Sequence, residues 1–205
     1  MAVPPPSPLL PTPSGDKAAL RRTLRRARTA FVARLRMEGR IDDALAAVAA
    51  HADPHIPPGA SVALYRAFGA EIDPMPLAAL LVRRGVSLAL PHVSADHRTM
   101  RFLAWDPDAP LTAGAFGLSQ PDEHATPVAP AVVLTPLVGF DRTGGRIGQG
   151  GGFYDRAFAA LPGAIRIGYA WSVQETAAIP RDPWDVPLHA IATEQEWIMI
   201  EGPTP

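Results

Sequence analysis

Between residues 17 and 38 apolar side chains return every three or four positions, as Leu20, Leu24, Ala27, Phe31 and Leu35. That period predicts an α-helix from Lys17 to about Glu38, with one apolar stripe and Asp16 as its N-terminal cap. The remaining surface of this helix is strongly basic, carrying Arg21, Arg22, Arg25, Arg26 and Arg28. An alanine-rich run from Ile41 to Ala50 predicts a second helix.

Beyond the break at PHIPPG, the pattern shortens. Ser61–Arg66 (SVALYR) predicts a buried strand, Pro74–Arg84 a helix with proline in its first turn, and Val86–Leu90 a second strand. This order points to a parallel sheet with a crossover helix. Met100–Trp105 predicts another strand, and a proline- and glycine-punctuated connection runs on to about Ala129. The apolar run Ala131–Val138 (AVVLTPLV) is the strongest strand of the chain. A helix over Phe153–Leu161 and strands over Ala164–Ala170 and Glu196–Ile200 complete an α/β pattern without internal repeats.

The chain has 205 residues, 47% hydrophobic and 19% charged, which suits one soluble globular domain over residues 16–205. The formal net charge of −1 gives no general attraction to nucleic acid or anionic membrane, so any positive site must be local. There are no cysteines, which excludes disulfides, thiolate catalysis and cysteine-bound metal and is compatible with a reducing cytoplasm. No apolar run approaches the length of a membrane helix. The N-terminal MAVPPPSPLLPTPSGD lacks a basic leader and is broken by prolines, so it does not read as a signal peptide. Residues 1–15 read as a disordered, partly polyproline-like tail, with a proline-motif ligand as the other reading.

Candidate chemistry concentrates at residues 144–156, GGRIGQGGGFYDR, where six of thirteen positions are glycine. The stretch follows the strongest strand and precedes a helix, which is where open α/β sheets bind ligands. A loop that wraps phosphate must bring backbone N–H groups close to its oxygens, and glycine removes the obstructing Cβ. The helix start beyond it adds unpaired N–H groups and a positive dipole end. Arg146 adds a bidentate cation. The pattern is neither a dinucleotide fingerprint nor a P-loop, since no acidic ribose partner and no G-K-[ST] are present. Taken alone, the loop reads either as a structural turn or as an anion cradle. The entropy lost on ordering three successive glycines, about 0.5–1 kcal/mol each, favours the cradle.

Four blocks taken together resemble the 5-formyltetrahydrofolate cyclo-ligase family, also called methenyltetrahydrofolate synthetases. Lys17-Ala-Ala-Leu-Arg21 resembles its N-terminal K-x-x-L-R, and LYRAFGAEID (64–73) its segment with a folate-contacting glutamate. LTPLVGFDRTGGRIGQGGGFYDR (134–156) resembles its signature, in which P-x-x-x-F-D leads into R-[LI]-G-x-G-x-G-[YF]-Y-D. WDVPLHAIATE (184–194) resembles its closing T-E segment. The resemblance implies a three-layer α/β/α sandwich with a mainly parallel sheet, like that of sugar-phosphate isomerases and CoA transferases. It implies a cytoplasmic, monomeric enzyme that uses ATP and Mg²⁺ to cyclise 5-formyltetrahydrofolate, with or without a polyglutamate tail, to 5,10-methenyltetrahydrofolate.

By that resemblance, Lys17 and Arg21 contact ATP phosphates, and their spacing of four puts them on one helix face. Arg146, Ile147, Gly148, Gln149, Gly150, Gly151, Gly152, Phe153 and Tyr154 form the nucleotide loop, and Gln149 to Phe153 also face the folate. Glu71 grips the pterin, with Arg66 nearby. Asp155 binds Mg²⁺, with Asp185 assisting, and Arg146 and Asp155 are the catalytic pair. Arg22, Arg25 and Arg26 read as a solvated helix face. Trp105, Trp171 and Trp184 read as core or as pterin-stacking residues. Three positions depart from the family pattern. Gln149 stands where aromatic or basic residues are common, Phe153 where tyrosine is, and His189 where a second acid often stands. Two rival readings are an enzyme of the same fold acting on sugar phosphates or acyl-CoA, and an RNA-binding module using the arginine-rich helix.

Overall fold

The computed structural model describes residues 15–94, 99–114 and 117–201; the tail expected over 1–15 lies outside them except for Gly15. Helix α1 (Gly15–Met37) already includes Asp16, which therefore stands inside the first turn instead of capping it. Helix α2 (Ile41–Ala52) carries Asp42 and Asp43 in its first turn and His51 in its last, signs that suit its macrodipole. Strand β1 (Ser61–Ala63) is shorter than the predicted Ser61–Arg66. Leu64 still donates to the Ala89 carbonyl at 2.9 Å, after which the chain turns out of the sheet. Helix α3 (Met75–Arg83) starts with proline in its first turn, where the missing N–H costs nothing.

Strands β2 (Ser87–Val93) and β3 (Met100–Ala104) follow. The long connection after them holds three short strands that sequence pattern missed, β4 (Thr112–Ala113), β5 (Ser119–Gln120) and β6 (Pro127–Val128). Then come β7 (Val132–Pro136), the small hairpin strands β8 (Gly139–Phe140) and β9 (Arg146–Ile147), helix α4 (Phe153–Ala160), and β10 (Ile165–Tyr169). Strands β11 (Ala190–Ala192), also unpredicted, and β12 (Trp197–Met199) close the fold.

Eight strands form one sheet in the order β12-β11-β10-β7-β1-β2-β3-β6. The five inner strands from β11 to β2 run parallel, whereas β12, β3 and β6 join antiparallel at the two edges. Pro127 sits in the edge strand β6, where a missing N–H is tolerated.

The period of two along each inner strand divides the interior into two cores. Val62, Leu64, Leu88, Leu90, Val132 and Leu134 pack with α1, α2 and α3. The alternate residues Ala63, Ala89 and Val133 pack with Ala157 and Phe158 of α4 on the opposite face. Helices on both faces give the expected α/β/α sandwich. Larger side chains face the three-helix layer, and alanines bring α4 close. No helix of the described residues is long and apolar enough to cross a membrane.

Leu134 lies in the middle of the central strand β7 and is 0% exposed. Leu134→Ala should lower unfolding free energy by about 2–5 kcal/mol, the range for buried leucine truncation. Urea denaturation measures this, and a loss below about 1 kcal/mol would contradict the packing described.

Candidate functional site

In the order β10-β7-β1-β2, the chain passes from β1 to β2 on one side and returns to β7 on the other. The carboxyl ends of β1 and β7 therefore flank a topological switch point, where open α/β sheets leave a crevice. A cleft of about 1280 Å³ opens there. Residues 65–71 after β1, the glycine loop 146–154 and one face of α1 supply most of its wall. Seven cationic side chains and four carboxylates line it, leaving three positive charges in excess.

The first end of the cleft is built by Lys17, Arg21, Arg146, Asp155 and Asp185 together with the glycine loop. Lys17 reaches across the molecule and donates to Asp185 at 2.5 Å and to Asp182 at 2.6 Å. Burial opposes the charge on Lys17, but the two carboxylates outweigh it and raise its pKa above the ordinary value. Asp182 was not anticipated from sequence. Asp185 also accepts the backbone N–H of Asp182 at 2.8 Å. Arg21 donates from Nε to the Gly148 carbonyl at 2.8 Å, so α1 rests directly on the loop. Arg146 pairs with Asp155, and Asp155 also accepts the Val186 N–H at 3.3 Å. Burial lowers the Arg146 pKa despite that carboxylate, and its Nε is buried without a partner among the described residues.

Glycine is required twice in this loop. Gly150 has φ +107° and Gly152, the residue preceding α4, has φ +62°, both in the region other residues avoid. A Cβ on Gly148 would meet nothing within 4 Å, so its backbone is open to the cleft. Ile147 buries its side chain with Leu24, Val138 and Ile179, which leaves only its main chain for a ligand. Phe153 lies beneath the Arg156 guanidinium, 4.9 Å from centroid to carbon. Tyr154 packs 6.0 Å from Phe158, and burial raises its hydroxyl pKa.

The second end is centred on Glu71. Its Oε2 accepts the Phe68 N–H at 3.1 Å, its Oε1 accepts the Gln149 side-chain amide at 3.2 Å, and Arg28 lies 3.8 Å away. Arg28 is buried, which lowers its pKa against the pull of Glu71, and its Nε has no partner among the described residues. Tyr65 is fixed behind this group by donating to the Ile72 carbonyl at 2.7 Å. Arg66 lines the cleft with one guanidinium nitrogen 2.9 Å from the Met75 sulfur.

Gln149, which family resemblance explains least, joins the two ends. Its amide nitrogen meets Glu71 while its carbonyl oxygen accepts from Arg25. Arg25 is therefore a cleft residue and not part of a solvated face. Its signal was present in the sequence, because Lys17, Arg21, Arg25 and Arg28 repeat at helical spacing beside the apolar stripe. Trp105 and Trp171 are core, at 8% and 1% exposed, whereas Trp184 is 52% exposed and lies on the cleft wall. His189 turns away to Arg166, whose backbone N–H donates to its Nδ1 at 3.0 Å.

Cations, an open glycine backbone and a helix start at one end of a parallel sheet define an α/β/α protein equipped to hold an anion beside an acid-tipped pocket. The chain belongs to the 5-formyltetrahydrofolate cyclo-ligase family, whose model matches residues 13–194, and it is an enzyme. A 5-formyltetrahydrofolate cyclo-ligase of Haemophilus influenzae is 35% identical over 139 residues, covering 64% of this chain and 74% of that protein. The Escherichia coli K12 cyclo-ligase is 33% identical over 151 residues, 67% of this chain and 81% of its own length. The solution structure of a 5,10-methenyltetrahydrofolate synthetase from Aquifex aeolicus superposes with a TM-score of 0.76 at 26% identity, covering 92% of this chain and 95% of that one.

The Lys17 clip carries a pH signature. Its folded pKa lies above the ordinary 10.5, so its contribution to stability is complete below that value and fades as pH rises through the folded pKa. The stability difference between wild type and Lys17→Met should be flat from about pH 7 to 9 and narrow above about pH 10.5. Denaturant titrations at several pH values read this out, and a difference that widens with pH would contradict it.

Proposed function

We propose that the cleft cyclises 5-formyltetrahydrofolate to 5,10-methenyltetrahydrofolate at the expense of ATP, releasing ADP and phosphate. One observation carries this reading: a phosphate-type cradle and a donor-accepting carboxylate, Glu71, stand at the two ends of one continuous cleft. Its 1280 Å³ exceeds the roughly 300–1,000 Å³ of single-ligand pockets, as two substrates require.

A formamide carbonyl is a weak electrophile with a poor leaving group. Transfer of the γ-phosphoryl group to the formyl oxygen, with departure of ADP, answers both difficulties by making an iminium phosphate. The neighbouring folate amine attacks its carbon and loses a proton. The ring closes, and the carbon–oxygen bond breaks to release phosphate. Such a reaction needs alignment and charge compensation more than covalent help from the protein.

Lys17, Arg21 and Arg146 hold the triphosphate, with the backbone of Ile147, Gly148, Gln149, Gly150, Gly151 and Gly152 around it. Phe153 and Tyr154 border the nucleotide, and Phe153 with residues 149–152 faces the formyl group. Glu71 accepts the N–H edge of the pterin, assisted by Arg66.

Asp155 and Asp185 offer hard oxygen donors that suit Mg²⁺, which takes one or two carboxylates with phosphates and waters. Among the described residues no group of three or more acidic or histidine side chains forms a metal cage. A Mg²⁺ ion held by these two carboxylates would neutralise phosphate charge. The formal charge of −1 gives no general attraction to RNA, so an RNA-binding role would rest on the exposed arginines of α1 alone. The reading places the enzyme in the cytoplasm as a monomer, acting on folates with or without polyglutamate.

Purified protein with Mg·ATP and 5-formyltetrahydrofolate should develop methenyl absorbance, and none would form if the cleft served sugar phosphates or acyl-CoA. Arg146→Ala and Asp155→Ala should each lower turnover at least about a hundred-fold while retaining cooperative melting. Near-wild-type turnover in either would refute its role. Glu71→Gln should raise the folate KM about ten-fold and the ATP KM less than about two-fold. Equal effects on both would argue against a pterin contact.

A further inference from the structure

Asp141 does not line the cleft, yet it is 3% exposed and gathers more donors than any side chain that does. Its Oδ1 accepts the Thr143 N–H at 2.9 Å, the Thr143 hydroxyl at 2.7 Å and the Gly145 N–H at 2.9 Å. Its Oδ2 accepts the Ile179 N–H at 2.8 Å. The Arg181 guanidinium lies 3.4 Å from Oδ1 and donates to the Thr143 carbonyl at 2.8 Å. A Cβ on Gly145 would come 2.4 Å from Oδ2, so the turn closes over the carboxylate only with glycine there.

These bonds join two segments that are distant in sequence. The turn 141–145 leads directly into β9, whose first residue is Arg146. The segment through Ile179 and Arg181 leads directly to Asp182 and Asp185, which hold Lys17. Leu188 reinforces the same seam by donating to the Gly144 carbonyl at 2.9 Å. Glu71 and Arg28, at the other end of the cleft, take their contacts instead from the Phe68 N–H, Gln149 and the Leu137 carbonyl.

We infer that Asp141 is a positioning residue whose effect falls first on one end of the cleft, setting the distance between Arg146 and the Lys17–Asp182–Asp185 group through its two carboxylate oxygens. The inference rests on the proposed reading of that end as the nucleotide site. It requires a carboxylate and not merely a polar side chain. Donors approach both oxygens, so an amide must turn its NH₂ group against either the Ile179 N–H or the Thr143 and Gly145 donors. One arm of the junction is then cut whichever way the amide lies. Burial opposes the charge on Asp141, but the Thr143 hydroxyl and three backbone N–H groups outweigh it and hold the carboxyl below its usual range.

Asp141→Asn in the full chain tests this by a split between ligands. Calorimetry with Mg·ADP and separately with 5-formyltetrahydrofolate should show nucleotide Kd raised about ten-fold or more, and folate Kd within about two-fold of wild type, because misplacement of cations by an ångström acts on the phosphate contacts, whereas Glu71 keeps its bond from the Phe68 N–H. Arg181→Met loosens the same junction from the other segment. It should give the same split at about three-fold, which keeps the test decisive if Asp141→Asn does not fold. Wild type that binds Mg·ADP beside variants that bind it equally well would overturn the inference alone. Parallel weakening of both ligands would reduce Asp141 to a general stabilising role and overturn it too. Wild type without measurable Mg·ADP affinity would overturn the nucleotide reading beneath it.

Discussion

The constraint on which this molecule depends is the crowding of like charge around a glycine-rich loop. Lys17, Arg21 and Arg146 meet at one end of the cleft, and Arg25 and Arg28 meet near the other. Water is partly excluded from both groups, so their mutual repulsion is poorly screened. The fold answers with carboxylates placed against individual cations: Asp182 and Asp185 on Lys17, Asp155 on Arg146 and Glu71 near Arg28. The excess positive charge that remains is what the proposed nucleotide would meet.

That arrangement needs several distant segments to be rigid with respect to one another. The sheet provides the frame, since the parallel strands β7 and β1 deliver the glycine loop and the Glu71 loop to the same edge. Helix α1 provides four of the cleft cations because its apolar stripe, including Leu24, Val32 and Leu35, is buried. Burying that stripe fixes the rotation of the helix, and the rotation turns Lys17, Arg21, Arg25 and Arg28 toward the cleft together. Hydrophobic packing thus positions charges it does not touch.

Much of this was legible in the sequence because it is local. The period of α1, the apolar run of β7 and the glycine density after it each follow from neighbours within a few residues. The same local logic failed where the decisive partner is remote. Asp182 reads as an ordinary loop acid until Lys17, 165 positions earlier, is seen against it. Arg25 reads as solvated until Gln149, 124 positions later, meets it. Trp184 reads as core or as a pterin-stacking residue, and the turn carrying Asp182 and Asp185 holds it exposed on the cleft wall. Strand β11 escaped because three residues, Ala190 to Ala192, buried on both faces show no alternation. Its place in the sheet is set by pairing with β10 and β12, which sequence pattern does not reveal.

In the proposed reaction the cleft brings the formyl oxygen of the folate to the terminal phosphorus of ATP. Substrate carrying a heavy-oxygen label in its formyl group tests that claim most directly, with inorganic phosphate analysed by mass spectrometry after single turnover. The account predicts that each molecule of methenyl product is accompanied by one labelled phosphate. Label released to water, with phosphate left light, would contradict it.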